Sequence, residues 1–426
     1  MRAFRPTVLS SALLAGVLLS QGAAAHTYAS EQPPSSSAPT SSQPPLDSRS
    51  RFEAWLRANP DKAAPFDAFT AGGRERFLGG LTFTERGIFS VAPEDLVWEL
   101  DQQQAKAVFD LIGLGDDPIA TRLRTEPAPL DWRGDKEHPS EIDQRYTKYN
   151  ALVDQTRRED FLRRARHIGE IYRKQFPETL IARADELSKP DLLILARASA
   201  NAATGSSSEA STQDLFTLIP QLEQRGLESR ELIQDAQRAL LTSGRMDDAR
   251  ALAAKHPSIE LEAIPAVTTP VSQLADGPGW WRLSDDEASM TAESPDLSQT
   301  QILVLAGCHF SVDAAQDIEA DPDLGPVFAA HAHWLGQPPG IESIGVWKEW
   351  NTKFPNTPMH LITKQSDWDM FPDWDMPTYA IVKDGKVVDQ TGGSFRAAPE
   401  NRVALVKMLR RHGLMTTGDK QATQEP

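Results

Sequence analysis

Residues 301–311, Gln-Ile-Leu-Val-Leu-Ala-Gly-Cys-His-Phe-Ser, constrain this chain more than any other stretch, because they carry its single cysteine. Residues 302–306 are continuously apolar, the pattern of a strand covered on both faces. Gly307 lets the chain turn, and from Val312 onward apolar residues recur at helical spacing, so Cys308 is expected at a helix N-terminus. There the unpaired backbone N–H groups and the positive end of the dipole favour a thiolate, the nucleophilic form of cysteine. A thiol with no second cysteine to pair with is either packed away or kept for chemistry. A packing cysteine normally lies within a strand or helix, whereas Cys308 follows a glycine at a strand-to-helix junction, which argues for chemistry.

A second constraint lies downstream. Residues 375–390 read as two β-rich runs around Asp384-Gly385, a dipeptide that accepts the positive φ of a two-residue hairpin turn. Pro377 opens the first run, one of the few strand positions that tolerate proline.

In chain order, a strand, Cys308-x-x-Ser311, a helix, Met376-Pro377-Thr378 heading a Lys-Asp-Gly hairpin and a closing helix over 399–412 resemble the thioredoxin superfamily. Residues 283–297, with their Ser284-Asp285-Asp286 turn, look like the opening hairpin of its TlpA-like branch, and the resemblance spans residues 280–412. It implies a cis Pro377 lying against Cys308, with Pro377 and Thr378 offering backbone groups to a bound chain. Cys308, Ser311 and Pro377 would be the catalytic set, and His309, Phe310, Met376, Thr378 and Trp374 would meet the substrate. Three departures stand out. Ser311 replaces the second cysteine, so no dithiol cycle exists within one chain; its hydroxyl can cap the helix or donate to a thiolate but cannot attack a mixed disulfide. The strand entering the site carries no carboxylate, and no tryptophan precedes the motif.

An imidazolium at His309 would favour the neighbouring thiolate, while an exposed neutral ring would do little. His331 and His333 lie two apart on an expected strand over 327–335 and so share a face, but without an apparent third ligand the sequence favours packing over a metal. The run 367–375, Asp-Trp-Asp-Met-Phe-Pro-Asp-Trp-Asp, leads directly to Pro377 and suits either a surface that a partner meets or a cover for the domain edge. Leu305 stands where peroxiredoxins place a threonine.

The 426-residue chain has a formal net charge of −16, which argues against nucleic acid and anionic membranes as partners. Its expected organisation is a signal peptide over 1–25, a Pro/Ser-rich disordered linker over 26–46, a helical region over 47–263, a linker over 264–279, a thioredoxin-like domain over 280–415 and a disordered tail over 416–426. No further run approaches membrane-spanning length, which points to export into a periplasm without membrane insertion. The helical region reads as an α-hairpin array, loosely tetratricopeptide-like around 240–250, with Gly72-Gly73 and Gly79-Gly80 as breakers and one long charged helix over 142–176. Within the α/β domain a helix over 341–354 and a strand over 359–363 are expected, with helices on both sides of the sheet. The fold class is thus α followed by α/β. Two functions fit: a cofactor-free monothiol enzyme exchanging disulfides with a protein partner or a low-molecular-weight thiol such as glutathione, or a redox-inactive scaffold binding another envelope protein.

Overall fold

A computed structural model describes residues 44–115, 128–206 and 208–415. The expected signal peptide, all but the end of the 26–46 linker, Ser207 and the 416–426 tail lie outside the described residues.

The N-terminal part consists of α1 (Arg49–Ala58), α2 (Ala71–Gly80), the hairpin β1 (Thr82–Thr84) and β2 (Gly87–Ser90), α3 (Glu94–Glu99) and α4 (Gln102–Leu111). Phe52, Phe66, Phe77, Leu96 and Phe109 close a core of their own among them. The glycine pairs at 72–73 and 79–80, expected as breakers, lie inside α2. A β-carbon at Gly72 would collide with the Asp143 carboxylate and one at Gly73 with Glu99, so glycine is what lets the helix approach those acids. Close approach thereby overrides a helix propensity about 1 kcal/mol poorer than alanine.

Those acids belong to a buried ion network. Arg76 bonds both oxygens of Asp95 (2.9 and 2.8 Å) and reaches Asp143. Arg197 bonds Asp95 at 2.9 Å and Glu94 at 2.8 Å, and Tyr146 donates to Glu94 at 2.7 Å. Glu99 accepts from the backbone and hydroxyl of Thr70. The network ties the N-terminal core to α5 (Glu141–Gln155) and α7 (Lys189–Ser206).

Between them lies α6 (Phe161–Gln175), so the long helix expected over 142–176 is two. Asp160 caps α6 by accepting from Arg163 N at 2.9 Å, and a cap at that point ends the preceding run. Next come α8 (Glu209–Gln224), α9 (Arg230–Thr242) and α10 (Met246–Lys255). Helix α7 is central because Leu192, Leu195 and its run of alanines are buried, and small side chains let neighbouring helices approach closely.

The 264–279 stretch is more than a linker: it carries β3 (Ala266–Thr269), the edge of an eight-stranded sheet. The others are β4 (Trp280–Leu283), β5 (Ser289–Glu293), β6 (Gln301–Leu305), β7 (Ala332–Gly336), β8 (Met359–Ile362), β9 (Thr378–Lys383) and β10 (Lys386–Gly392). Their order is β10-β9-β6-β7-β8-β4-β5-β3. The pairs β6/β7 and β7/β8 are parallel, and β9/β10 is the expected hairpin, with Asp384 (φ 50°) and Gly385 (φ 71°) turning it. Helices α11 (His309–Ala320), α12 (Gly325–His331), α13 (Ile344–Lys353) and α14 (Glu400–Arg411) complete the part. The strand expected over 327–335 begins only at Ala332, because Gly325-Pro326 starts a helix whose Phe328 packs on Trp334 and Tyr379.

Ile302 and Val304 of β6 face a core shared with α11 to α14 and continuous with the helical region. Leu303 and Leu305 face a second cluster with Trp280, Trp368, Phe371 and Trp374. No α-helical residue belongs to that cluster, so the helices expected on both sides of the sheet pack on one side only. The segment after β8 covers the other, and three aromatic rings supply there the apolar area a helix would bring. Among the described residues no helix is long and apolar enough to cross a membrane.

Replacing Arg76 with alanine leaves Asp95 and Asp143 as uncompensated buried charges. Stability measured by urea unfolding is expected to fall by about 3–5 kcal/mol, and a loss below 1 kcal/mol would show that the network contributes little.

Candidate active site

Cys308 leaves the C-terminal end of β6 as the N-cap of α11, with extended backbone (φ −103°, ψ 169°). Its carbonyl accepts from Ser311 N at 2.9 Å and Val312 N at 3.2 Å, which fixes the first turn. Gly307 holds a φ of +149°, and a β-carbon there would lie 2.6 Å from Glu342 Oε2 and 3.2 Å from Met376 Sδ. The half-buried sulfur has two polar neighbours, Ser311 Oγ at 3.4 Å and the Met376 carbonyl at 3.6 Å. The hydroxyl can donate to a thiolate and the carbonyl can accept from a thiol, so either form of the sulfur has a partner.

The sequence-predicted residues fall into three groups. Cys308, Ser311, Met376 and Pro377 come together, with a cis Met376–Pro377 bond and Ser311 fully buried. Thr378 is the first residue of β9, paired to Leu305, which sets this second segment beside the first. His309 is exposed and Phe310 half-buried, their rings 3.8 Å apart, so His309 is not folded under the thiol. Trp374 is 8% exposed and packs edge-on against Phe371. Its ring therefore covers the sheet and does not stand as a free docking surface. His331 ends α12 while His333 lies on β7 beside Trp280 and His360, so the two histidines do not share a strand face. Burial, then His333 and Arg282, press His360 down to about 3, so it stays neutral. Among the described residues no group of three His, Cys, Asp or Glu is placed to hold a metal.

Sequence reasoning missed Glu342. It sits in the loop after β7, whose C-terminal end lies beside that of β6 because the two strands are parallel neighbours. Ile341 N and Glu342 N both donate to Pro338 O at 3.0 Å, which curls the loop toward Gly307. Burial raises the Glu342 carboxyl to about 7, opposed by a Ser343 N–H and helped by the nearby Glu262. The rule that sites form outside the carboxyl ends of parallel strands was the one available signal.

The helical region holds both loops around the sulfur. Gly340 packs on α9, where a β-carbon would meet Arg238 O at 2.5 Å and Thr242 Oγ1 at 2.6 Å. Glu262, clasped through its backbone by the Gln237 side chain, accepts from Ile344 N at 3.2 Å. On the other flank Phe161 N, at the start of α6, donates to Pro372 O at 3.1 Å.

The parallel β6–α11–β7 crossover, the β9/β10 hairpin running antiparallel to β6, the closing helix and the cysteine at the tip of α11 define a thioredoxin-like α/β fold behind an N-terminal helical region. No family model matches the sequence, and no curated protein is similar to it. Among solved structures, a thioredoxin-like protein from Bacteroides caccae aligns with 57% of this chain and 93% of its own, at 10% identity and a TM-score of 0.22. At that score the superposition carries no weight, and the fold rests on the strand order.

The Glu342 carboxyl has a measurable linkage. With its folded value raised from 4.5 to about 7, its ionised form is disfavoured in the folded state, so it costs nothing below pH 4.5 and its cost grows until pH passes about 7. Glu342→Gln is therefore expected to gain stability over the native chain as pH rises through that window, reaching at most about 3 kcal/mol above it. A difference that does not change between pH 4 and 8 in thermal unfolding would contradict this.

Proposed function

We propose that this chain exchanges disulfides through Cys308 as a monothiol. The Cys308 thiolate attacks one sulfur of a substrate disulfide, a Cys308–substrate S–S bond forms as the substrate bond breaks, and the leaving thiolate takes up a proton. A second thiol, from a protein or a low-molecular-weight compound such as glutathione, then attacks the mixed disulfide and returns Cys308 to its reduced form. The observation that carries this reading is a half-buried sulfur at a helix tip between the Ser311 hydroxyl and the Met376 carbonyl, with no second thiol in the chain. Cys308 supplies the sulfur and Ser311 its hydroxyl partner; Met376, Pro377 and Thr378 lie along the path of a bound chain, with the exposed His309 and the half-buried Phe310 at the rim. An exported location, as the leader predicts, would supply both disulfides and partner thiols.

Incubated with oxidised glutathione, the folded chain is expected to gain one glutathione by intact mass, and Cys308→Ser to gain none. Ser311→Cys, which puts a thiol within reach of the adduct, is expected to release glutathione and leave no stable mixed disulfide. A native chain that forms no adduct while folded, yet reacts once unfolded, would favour the scaffold reading.

A further inference from the structure

Beside Trp280 the sheet buries two imidazoles that the disulfide chemistry does not use. His360 lies within β8, paired to Leu335 of β7, and is 9% exposed. Its ring stacks on Trp280 at 4.6 Å and 14°, and Trp280 in turn stacks on Trp368 of the 364–376 cover at 6.3 Å and 18°. His333 tilts against both, 5.0 Å from Trp280 and 6.0 Å from His360. Gly279 pins the cover here, its carbonyl accepting from Thr363 N at 2.9 Å, Thr363 Oγ1 at 3.0 Å and Trp368 Nε1 at 3.1 Å. The far end of the cover is Met376, whose carbonyl lies 3.6 Å from the Cys308 sulfur.

This setting has no partner for an imidazolium. His360 Nδ1 is buried without a hydrogen bond, and among the described residues the ion pairs of histidine belong to His138, His167, His256 and His412. His360 is faced from β7 by His333 and from β4 by Arg282, while the cover brings the uncharged Trp368 to the stack. The Glu293 carboxylate of β5 is already taken by Arg282 Nε at 2.7 Å and Trp280 Nε1 at 3.5 Å. Attraction to the Trp280 face offsets only part of the lost hydration of a buried charge, and the guanidinium adds to that loss. An apolar ring would fill the same space without an unpaired nitrogen. What the imidazole adds is a proton-binding site that stays closed only while it is empty.

We propose that His360, seconded by His333, is an acid-operated latch on the cover. When the pair takes up protons the rings must reach water, the stack on Trp280 parts, the cover loosens from the sheet, and its Met376 end shifts away from the Cys308 sulfur. Burial, then His333 and Arg282, hold His360 at about 3 in the closed form against 6.5 when hydrated. The open form therefore gains on the closed one only as pH falls below 6.5, by up to about tenfold per pH unit for one histidine. Burial presses His333 in the same direction. Release of the cover does not depend on the monothiol reading; only its consequence for a bound chain does.

The test follows near-UV circular dichroism of the full chain from pH 8 to pH 4. The native protein is expected to lose its tryptophan signal below pH 6.5 while its far-UV helical signal persists, and pepsin at pH 4 is expected to cut first within 364–376. His360→Phe keeps a ring on Trp280 and cannot take a proton, so its signal is expected to hold about one pH unit lower, with that cut slowed. Arg282→Gln leaves His360 in place and removes the guanidinium that repels its charge. Its transition is expected at lower pH than the native one, which keeps the test decisive if His360→Phe folds poorly. A native signal unchanged down to pH 4, a first cut outside the cover, or superimposable profiles for the native chain and folded His360→Phe would overturn the latch. A chain inert toward glutathione that still shows the transition would overturn the monothiol reading and leave the latch standing.

Discussion

The site depends on β6 being buried on both faces. Alternate side chains of this strand fill two different cores, so its register is fixed: a slip of one residue would drive each set into a core packed for the other. With register fixed, Gly307 must fall at the end of the sheet and Cys308 at the first turn of α11. The antiparallel pairing with β9 then brings Thr378 opposite Leu305 and sets Pro377 and Met376 beside the sulfur. The parallel pairing with β7 brings the Glu342 loop to the same edge.

The helical region is part of this arrangement and not a separate appendage. Its core is continuous with the helix-covered face of the sheet, and its helices grip the loops on either side of the thiol. A thiol site framed by two loops keeps its geometry only if both are held, and short backbone contacts to α6 and α9 hold them at small entropic cost. Farther away, the Arg76–Asp95–Arg197 network joins the N-terminal core to the same assembly. Buried charge of this kind adds little net energy over apolar packing, but it makes a misdocked arrangement costly, since each unpaired ion would be stranded.

Much of the α/β part was legible. The apolar run of β6, the Asp-Gly turn of the last hairpin, the opening hairpin and the closing helix are local signals, each set by a period of two or 3.6 or by a turn that demands positive φ. Apart from the local Asp160 cap that divides the expected 142–176 helix, the differences arose where a distant residue decided. Gly72 and Gly73 look like breakers until the carboxylates of Asp143 and Glu99 are seen to occupy the space of their side chains. Residues 327–331 carry apolar residues that suit a strand or a helix, and Phe328 meeting Trp334 and Tyr379 settles the matter. The Trp-rich run before Pro377 suits a partner surface or a cover equally well by sequence, and the bare face of the sheet takes its rings inward.

The sequence by itself determined where the cysteine, its serine neighbour and the proline segment opposite fall, because these sit on elements whose local patterns specify strand, turn and helix without outside help. Only the tertiary structure decided that Glu342 joins them and that the helical region frames them. Both follow from strand order and helix docking, which depend on surfaces far apart in the chain, and no local periodicity encodes which distant surface a loop will meet.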